Sequence, residues 1–410
     1  MKKINRILVA LLACALMISM LAGCASKADE AEQGKTASTE TAEPVAPAED
    51  EKKADENVAF SSEKAGAPDI AENAPSFKLG FIHNSFSDQL GVMYQRYAQY
   101  AAEQLGCEII FAEAPDDDSR TSAQQNMIEM GCNGLIMTTC SEAILQRCAD
   151  AGVYFVQVGN NIADPALKEF ADNCEYYIGS ILVDNYQVGR NMVDALYAQG
   201  CRKLAFIEFT PGKVTTMDDR ARGMDEAAEQ YSDLEVVTVY TGMPNTFAEG
   251  AEQILAAYGD KIDGIVATMA NAAIPSAIFS YGLSAQIKYA GVDIQEGTDE
   301  LLAAGTMAYV AGGAFPNAEL GVAMLYNYLS GYQIWSDKED ITRPLIELQS
   351  VEDYNNYMKF FEGDLPCYTG TELKTIVGVY TPDVTMDDVR ALAADSSVAS
   401  CVERHAGLID

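Results

Sequence analysis

Histidine is nearly absent from this chain of 410 residues: His83 and His405 are the two, far apart in sequence. A lone histidine at a strand end is more often a hydrogen-bonded structural residue than a ligand, so no metal and no cofactor is expected. Positive charge is scarce as well. Lys and Arg number 27 against 61 Asp and Glu, a formal net charge of −34. Such a chain repels phosphate backbones and anionic membrane surfaces, which argues against nucleic-acid binding. None of the ten cysteines forms a C-x-x-C pair, so neither a zinc knuckle nor a thioredoxin-like site is indicated. There is no G-x-S-x-G elbow, no G-x-x-x-x-G-K-[ST] phosphate loop and no H-E-x-x-H, and Cys140 has no evident histidine partner. Catalysis is not expected. The run Asp116-Asp117-Asp118 lacks the alternating oxygens and the glycine of a calcium loop, and reads as a solvated turn after the second strand.

An apolar run long enough to span a bilayer is missing too. Lys2, Lys3 and Arg6 precede fifteen residues, Ile7 to Leu21, that are apolar apart from Ser19. A spanning helix needs roughly 18 or more such residues, so the segment reads as the charged and apolar regions of a cleaved signal. It ends in Leu21-Ala22-Gly23-Cys24, which resembles the lipobox of bacterial lipoproteins. The resemblance implies cleavage after residue 23, a lipid on Cys24, and two or three acyl chains, since one gives only marginal anchoring. Removing residues 1–23 takes away three basic groups and no acid, shifting the formal charge from −34 to −37. The mature chain is then expected at the cell membrane, lipid-anchored on the extracytoplasmic face.

Residues 24–76 are built from Ala, Glu, Lys, Thr, Pro and Asp, with Phe60 as the single aromatic. Such a composition buries too little surface to offset chain entropy, so a disordered acidic linker is expected. Eight cysteines remain beyond the anchor, from Cys107 to Cys401. With 49% hydrophobic residues the chain can build a core without staples, and reduced thiols are expected.

From Phe77 onward, short apolar runs alternate with amphipathic stretches, as in repeated βα units around parallel sheets. Strands are predicted at Leu79–Ile82, Glu108–Ala114, Gly134–Thr139 and Val153–Gly159, then at Lys203–Phe209, Glu235–Tyr240, Gly264–Met269 and Lys288–Val292. Parallel strands buried on both faces read as continuous apolar runs, and these do. Leu90, Met93, Tyr94, Tyr97, Ala101 and Leu105 form one helical face. Phe247, Ala251, Ile254, Leu255 and Tyr258 form another, behind Asn245 or Thr246 as N-cap.

The pattern over about Phe77 to Gln333 resembles the type I periplasmic binding proteins, the ribose-binding-like solute receptors. It is carried by Leu79-Gly80-Phe81-Ile82, by Ala102-Glu103-Gln104-Leu105-Gly106-Cys107, and by Gln124-Gln125-Asn126-Met127-Ile128 with Gly134-Leu135-Ile136-Met137. More specific are Val183-Asp184-Asn185-Tyr186-Gln187-Val188-Gly189, with Asp184 as N-cap, and Arg220-Ala221-Arg222-Gly223-Met224. Ile262-Asp263-Gly264-Ile265-Val266 and Gly291-Val292-Asp293 complete the set. The resemblance implies an α/β fold of two Rossmann-like lobes with parallel sheets, joined by a hinge of crossover segments. Residues 77–183 plus 313–345 would form the N-terminal lobe and 184–312 the C-terminal lobe, with 346–410 a tail packing on the lobes. Trp335, the only tryptophan, lies past the core pattern and is expected to report poorly on a cleft.

In such folds ligands sit where the carboxyl ends of strands from both lobes face one another. Candidate ligand-binding residues are therefore His83, Phe86 and Asp88 after strand one, Thr139 after strand three and Asn160 after strand four. The second lobe adds Asp218, Arg220, Asn271 and Asp293. Asn84, Ser141, Asn161 and the loop Gly312-Gly313-Ala314-Phe315 are further candidates by position. Sugar-binding members place an Asp-Arg pair, an Arg, an Asn-Asp pair and a Gln where register here puts Gly159-Asn160, Asp218, Met269-Ala270 and Gly312, so only Asp293 is retained. Asn271 replaces the Asn-Asp pair if its loop slips by two residues. Asp88, Asp218 and Asp293 together would suit a ligand with a cation or many donors. The resemblance implies a receptor for a small polar, sugar-like solute that delivers it to the permease and ATPase subunits of an ABC importer. A tethered sensor presenting its closed form to a signalling receptor, and a receptor for an amine or nucleoside, stay open as alternatives.

Overall fold

The computed structural model describes residues 59–60 and 62–408. The expected signal, the lipidated Cys24 and most of the expected linker lie outside the described residues. Two six-stranded sheets organise the chain. The first takes β1 (Lys78–His83), β2 (Glu108–Glu113), β3 (Gly134–Met137), β4 (Tyr154–Gly159) and β5 (Tyr177–Val183). The second takes β6 (Lys203–Phe209), β7 (Glu235–Gly242), β8 (Gly264–Ala267), β9 (Lys288–Val292) and β10 (Met307–Gly312). Two short strands close the edges: β11 (Ile341–Arg343) lies parallel to β5, and β12 (Ile346–Leu348) antiparallel to β10.

Strand order is β11-β5-β4-β3-β1-β2 in one sheet and β12-β10-β9-β8-β6-β7 in the other. In each, the chain leaves its first strand to one side and then returns to the other, so β1/β3 and β6/β8 are switch points where loops diverge and leave a crevice. The strands form because Leu79, Phe81, Leu135, Ile136, Phe206, Ile207, Ile265 and Val266 are fully buried, with helices covering both faces of each sheet.

Three segments cross between the sheets: Val183 to Asn185, Gly312 to Pro316, and Arg343 to Ile346. Arg343 ties them together. Its buried guanidinium donates to Asn317 Oδ1 (3.0 Å), Ser396 Oγ (3.1 Å) and the Gly313 carbonyl (2.5 Å), while its own carbonyl accepts from the Asp184 amide (3.0 Å). After the second crossing the helix Pro316–Leu329 runs buried from Pro316 to Tyr328, as a helix enclosed on all sides must.

Several expectations need correction. Residues 59–76 are not a free linker where they are described. Phe60 is 7% exposed and meets Tyr97 and Tyr100 edge-on at 4.9 and 5.3 Å, with the Arg96 guanidinium 4.0 Å above its ring. Tyr100 donates to the Ala65 carbonyl (3.1 Å) and Tyr326 to that of Pro75 (3.0 Å). The stretch from residue 346, expected to pack on the lobes, is also part of a sheet: β12 is an edge strand, and Phe360, Phe361, Cys367 and Tyr368 are fully buried. Trp335 belongs to the core, its indole against Gly179 and its Nε1 donating to the Glu339 carbonyl (2.7 Å). Asp116 opens the helix Asp117–Glu129 through a capping box with Ser119, so the aspartate run is a helix start and not a turn. Thr246 makes no capping bond; its hydroxyl donates back to the Met243 carbonyl (2.8 Å). The eight thiols are unpaired, with Cys367 and Cys401 Sγ 3.9 Å apart.

Candidate ligand-binding site

A cleft of about 610 Å³ lies where the carboxyl ends of the strands from both sheets meet. From the first sheet it takes His83 at the end of β1, Thr138 just past β3, Gly159 at the end of β4 and Asn160 just past it. β1 and β3 flank the switch point and β4 lies next to β3, so the crevice is a consequence of topology. His83 Nδ1 lies 3.0 Å from Thr138 Oγ1, and Asn160 Nδ2 donates to the Thr138 carbonyl (2.9 Å). Burial lowers the His83 imidazole below its usual pKa, with Asp88 and Glu113 opposing the shift. The ring is therefore a neutral hydrogen-bonding group at pH 7.

The second lobe contributes Thr216, Met217 and Arg220 from the helix Thr215–Gln230, Met269 past β8, and Asp293 to Gln295 past β9. Arg220 is held by a close helix crossing. A Cβ on Gly189 would stand 2.1 Å from the Arg220 carbonyl, and one on Gly223 2.1 Å from that of Tyr186, so glycine at both positions lets the backbones touch. At that spacing Arg220 Nε donates to Asn185 Oδ1 (2.8 Å), and Nη1 donates to the Thr268 carbonyl (2.8 Å). Burial works against the guanidinium charge, which Asp293 and Tyr309 support.

Asp293 has φ 86°, a backbone conformation uncommon outside glycine but tolerated by Asp, and its amide donates to the Ala311 carbonyl (2.7 Å). The side chain keeps access to solvent, yet its place among the walls of the cleft raises the carboxyl pKa, with Arg220 pulling it down. Because the carboxylate is not sealed from water, we read this as the effect of surrounding protein rather than of a closed interior. Tyr94, Phe315 and Leu345 give the cleft apolar surface. A few polar groups convergent on apolar walls is the composition of a small-molecule site.

Of the further candidates by position, Asn84 and Gly312 to Phe315 line this cleft, and Ser141 and Asn161 do not. Of the nine principal candidates, His83, Asp88, Asn160, Arg220 and Asp293 line it, and four do not. Phe86 turns into an aromatic cluster with Phe81, His83 and Phe111, while its amide donates to Glu113 Oε1 (2.6 Å). Thr139 gives way to Thr138, one position earlier, because β3 ends at Met137 and Thr138 is the first residue past it. Asp218 folds back onto its own loop, accepting from the Gly212 amide at 3.0 and 3.1 Å. It is Arg220, two residues on and also a candidate, that reaches the cleft and supplies a guanidinium where register puts Asp218. Asn271 braces its loop, donating to the Pro244 carbonyl (3.1 Å) and accepting from the Ala273 amide (2.9 Å). Asp88 lines the cleft while also capping the helix Gln89–Gln104 through the Gly91 amide (2.8 Å).

Sequence reasoning missed Asn185, which holds Arg220, together with Tyr357 and Glu362 from the far end of the chain. The D-N pair at 184–185 was the available signal for the first. Nothing in sequence spacing ties residues 357 and 362 to this cleft.

Among the described residues, no group of His, Cys, Asp and Glu is arranged to hold a metal ion, and no helix is long and apolar enough to cross a membrane. No curated protein matches the sequence. Solved structures do match in fold. An ABC transporter periplasmic solute-binding protein from Actinobacillus succinogenes, with bound D-allose, has a TM-score of 0.59 at 19% identity, covering 68% of this chain and 99% of its own. The binding component of the arabinose ABC transporter from a Shewanella species, bound to L-arabinofuranose, gives 0.58 at 19% identity, with 69% and 95% covered. A periplasmic sugar-binding protein from Pseudomonas fluorescens gives 0.63 at 14% identity, with 80% and 99% covered. All three are described as binding proteins. The family described as the periplasmic binding protein domain matches residues 79–333, well over half of the sequence and both sheets. The chain belongs to the periplasmic binding protein domain family.

Proposed function

We propose that this protein is an extracytoplasmic lipoprotein that captures a small polar solute between its lobes and delivers it to the permease and ATPase subunits of an ABC importer. The observation that carries the reading is the cleft itself. It opens at the switch points of both sheets, joins polar groups from each lobe, and lies between lobes connected by three crossing segments tied at Arg343. Hinge closure of lobes on a ligand turns binding into a change of shape that a membrane partner can read. A carbohydrate or carbohydrate-like solute is favoured by the D-allose and L-arabinofuranose seen in the neighbours and by the mixture of carboxylate, guanidinium and amide groups, which suits hydroxyls as both donors and acceptors. The signal-like segment and Cys24 supply the tether that keeps such a receptor near its transporter.

The test is a thermal-shift screen of the mature chain against pentoses, hexoses, inositols and amino sugars, with acyl labelling of wild type and Cys24→Ala in a bacterial host. The reading expects at least one solute to raise the melting temperature, and the acyl label to disappear in the variant. If no solute stabilises the folded chain, the binding role loses its support; if Cys24→Ala keeps the label, the anchor is elsewhere.

A further inference from the structure

The family match ends at residue 333, yet the cleft has a wall that comes from beyond it. Ser350 caps the helix Val351–Phe360, accepting from the Asp353 amide (3.1 Å), and this helix packs on β12 and on the helix Thr298–Ala303 of the second lobe. The turn that follows is fastened to the first lobe. Tyr97 donates to the Phe361 carbonyl (2.8 Å), while Arg96 Nη1 and Nη2 donate to the carbonyls of Glu362 (2.7 Å) and Gly363 (2.6 Å). One short segment therefore touches both lobes and presents Tyr357 and Glu362 to the cleft.

The Glu362 carboxylate is oriented by its neighbours. Its Oε1 accepts from Tyr357 Oη (2.5 Å) and from Gln89 Nε2 (2.8 Å). These are neutral donors, so they fix the group without cancelling its charge. Arg96, the nearest cation, is committed to backbone carbonyls and to the face of Phe60. Burial raises the Glu362 carboxyl against the pull of Arg96, as surrounding protein raises Asp293 against that of Arg220, so each carboxylate is only partly offset by a nearby cation. Asp88 adds a third carboxylate. Against these three the cleft holds one guanidinium, Arg220, with Nε and Nη1 already engaged, and a His83 ring that burial keeps neutral. A neutral polyol has no charge to offset the surplus; a protonated amine does.

We propose that the C-terminal segment makes this cleft selective for a solute bearing a protonated amine, with the Glu362 carboxylate, positioned by Tyr357 and Gln89, receiving it. This rests on the reading of the cleft as a solute site. Selectivity then comes from a part of the chain that the family pattern does not include, and Glu362 is its determinant.

Calorimetric titration of the mature chain with matched pairs, glucosamine against glucose and galactosamine against galactose, together with putrescine and spermidine, separates the two claims. The proposal expects an amine-bearing compound to bind about 10-fold or more tightly than its neutral counterpart, and Glu362→Gln to remove that margin. Tyr357→Phe keeps the carboxylate and takes away one of its supports, so it should narrow the margin without abolishing it. Neutral sugars that bind as tightly as their amino counterparts overturn the selectivity and leave solute binding standing. So does an amine affinity unchanged in both variants. Absence of binding in every class overturns selectivity and solute reading together.

Discussion

Glu208 and Arg220 show how single buried ionisable groups set the behaviour of the second lobe. Glu208 sits on β6 at 8% exposure, and burial, reinforced by Asp225, raises its carboxyl from the ordinary 4.5 to about 7. The folded chain thus holds this proton more tightly than the unfolded one. Its contribution to stability is full below the unfolded pKa and is lost as pH rises through about 7. Glu208→Gln removes the dependence. Its stability relative to wild type is expected to improve between pH 5 and pH 8 by on the order of 1–3 kcal/mol, read by urea unfolding at the two pH values. At this scale the sequence was only half legible. His83, Asn160 and Asp293 follow from strand ends, but Thr138 against Thr139 and Arg220 against Asp218 turn on one or two residues of loop and helix phase. That phase is set by where β3 stops and how two helices cross, and neither is visible in composition or period.

The helix crossing belongs to the next scale. Asn185–Ala198 and Thr215–Gln230 touch through Gly189 and Gly223, and the bond from Arg220 to Asn185 depends on that closeness. Gly189→Ala puts a methyl 2.1 Å from the Arg220 carbonyl, which forces the helices apart. A loss of about 1–3 kcal/mol in unfolding free energy and weaker solute binding are expected together, checked by denaturation and titration of one preparation. Unchanged binding would separate the crossing from the site. Strands with an apolar run at their centre were readable at this level: β6, through Leu204-Ala205-Phe206-Ile207, and β9 have the predicted bounds. The strands β5 and β10 were not, since Gly179-Ser180 interrupts the first and small residues dilute the second. The packing of Phe60 escaped for a related reason. One aromatic in a polar stretch does not change its average composition, yet its ring fills a gap between Tyr97 and Tyr100.

For the whole molecule, the two-lobe architecture was legible because it rests on repeated βα patterning, which needs no knowledge of individual contacts. The return of residues 346–408 to the core was not, because contacts across hundreds of residues leave no local period. Arg343 illustrates the point: it joins Asp184, the pair Gly313 and Asn317, and Ser396, three places far apart in sequence, at the junction of the crossing segments. A cleft between lobes so connected is expected to bind and close on a solute, and Arg220 is the second-lobe cation in its lining. The most direct measurement is a thermal-shift titration of wild type and Arg220→Ala, side by side, with any solute found in the screen. At free solute about 100-fold above Kd, binding adds about 2.7 kcal/mol to the folded state, a shift of several degrees. The account predicts that shift in the wild type and its loss, or a requirement for at least about 10-fold more solute, in Arg220→Ala. An equal shift at equal concentration in both proteins would contradict it.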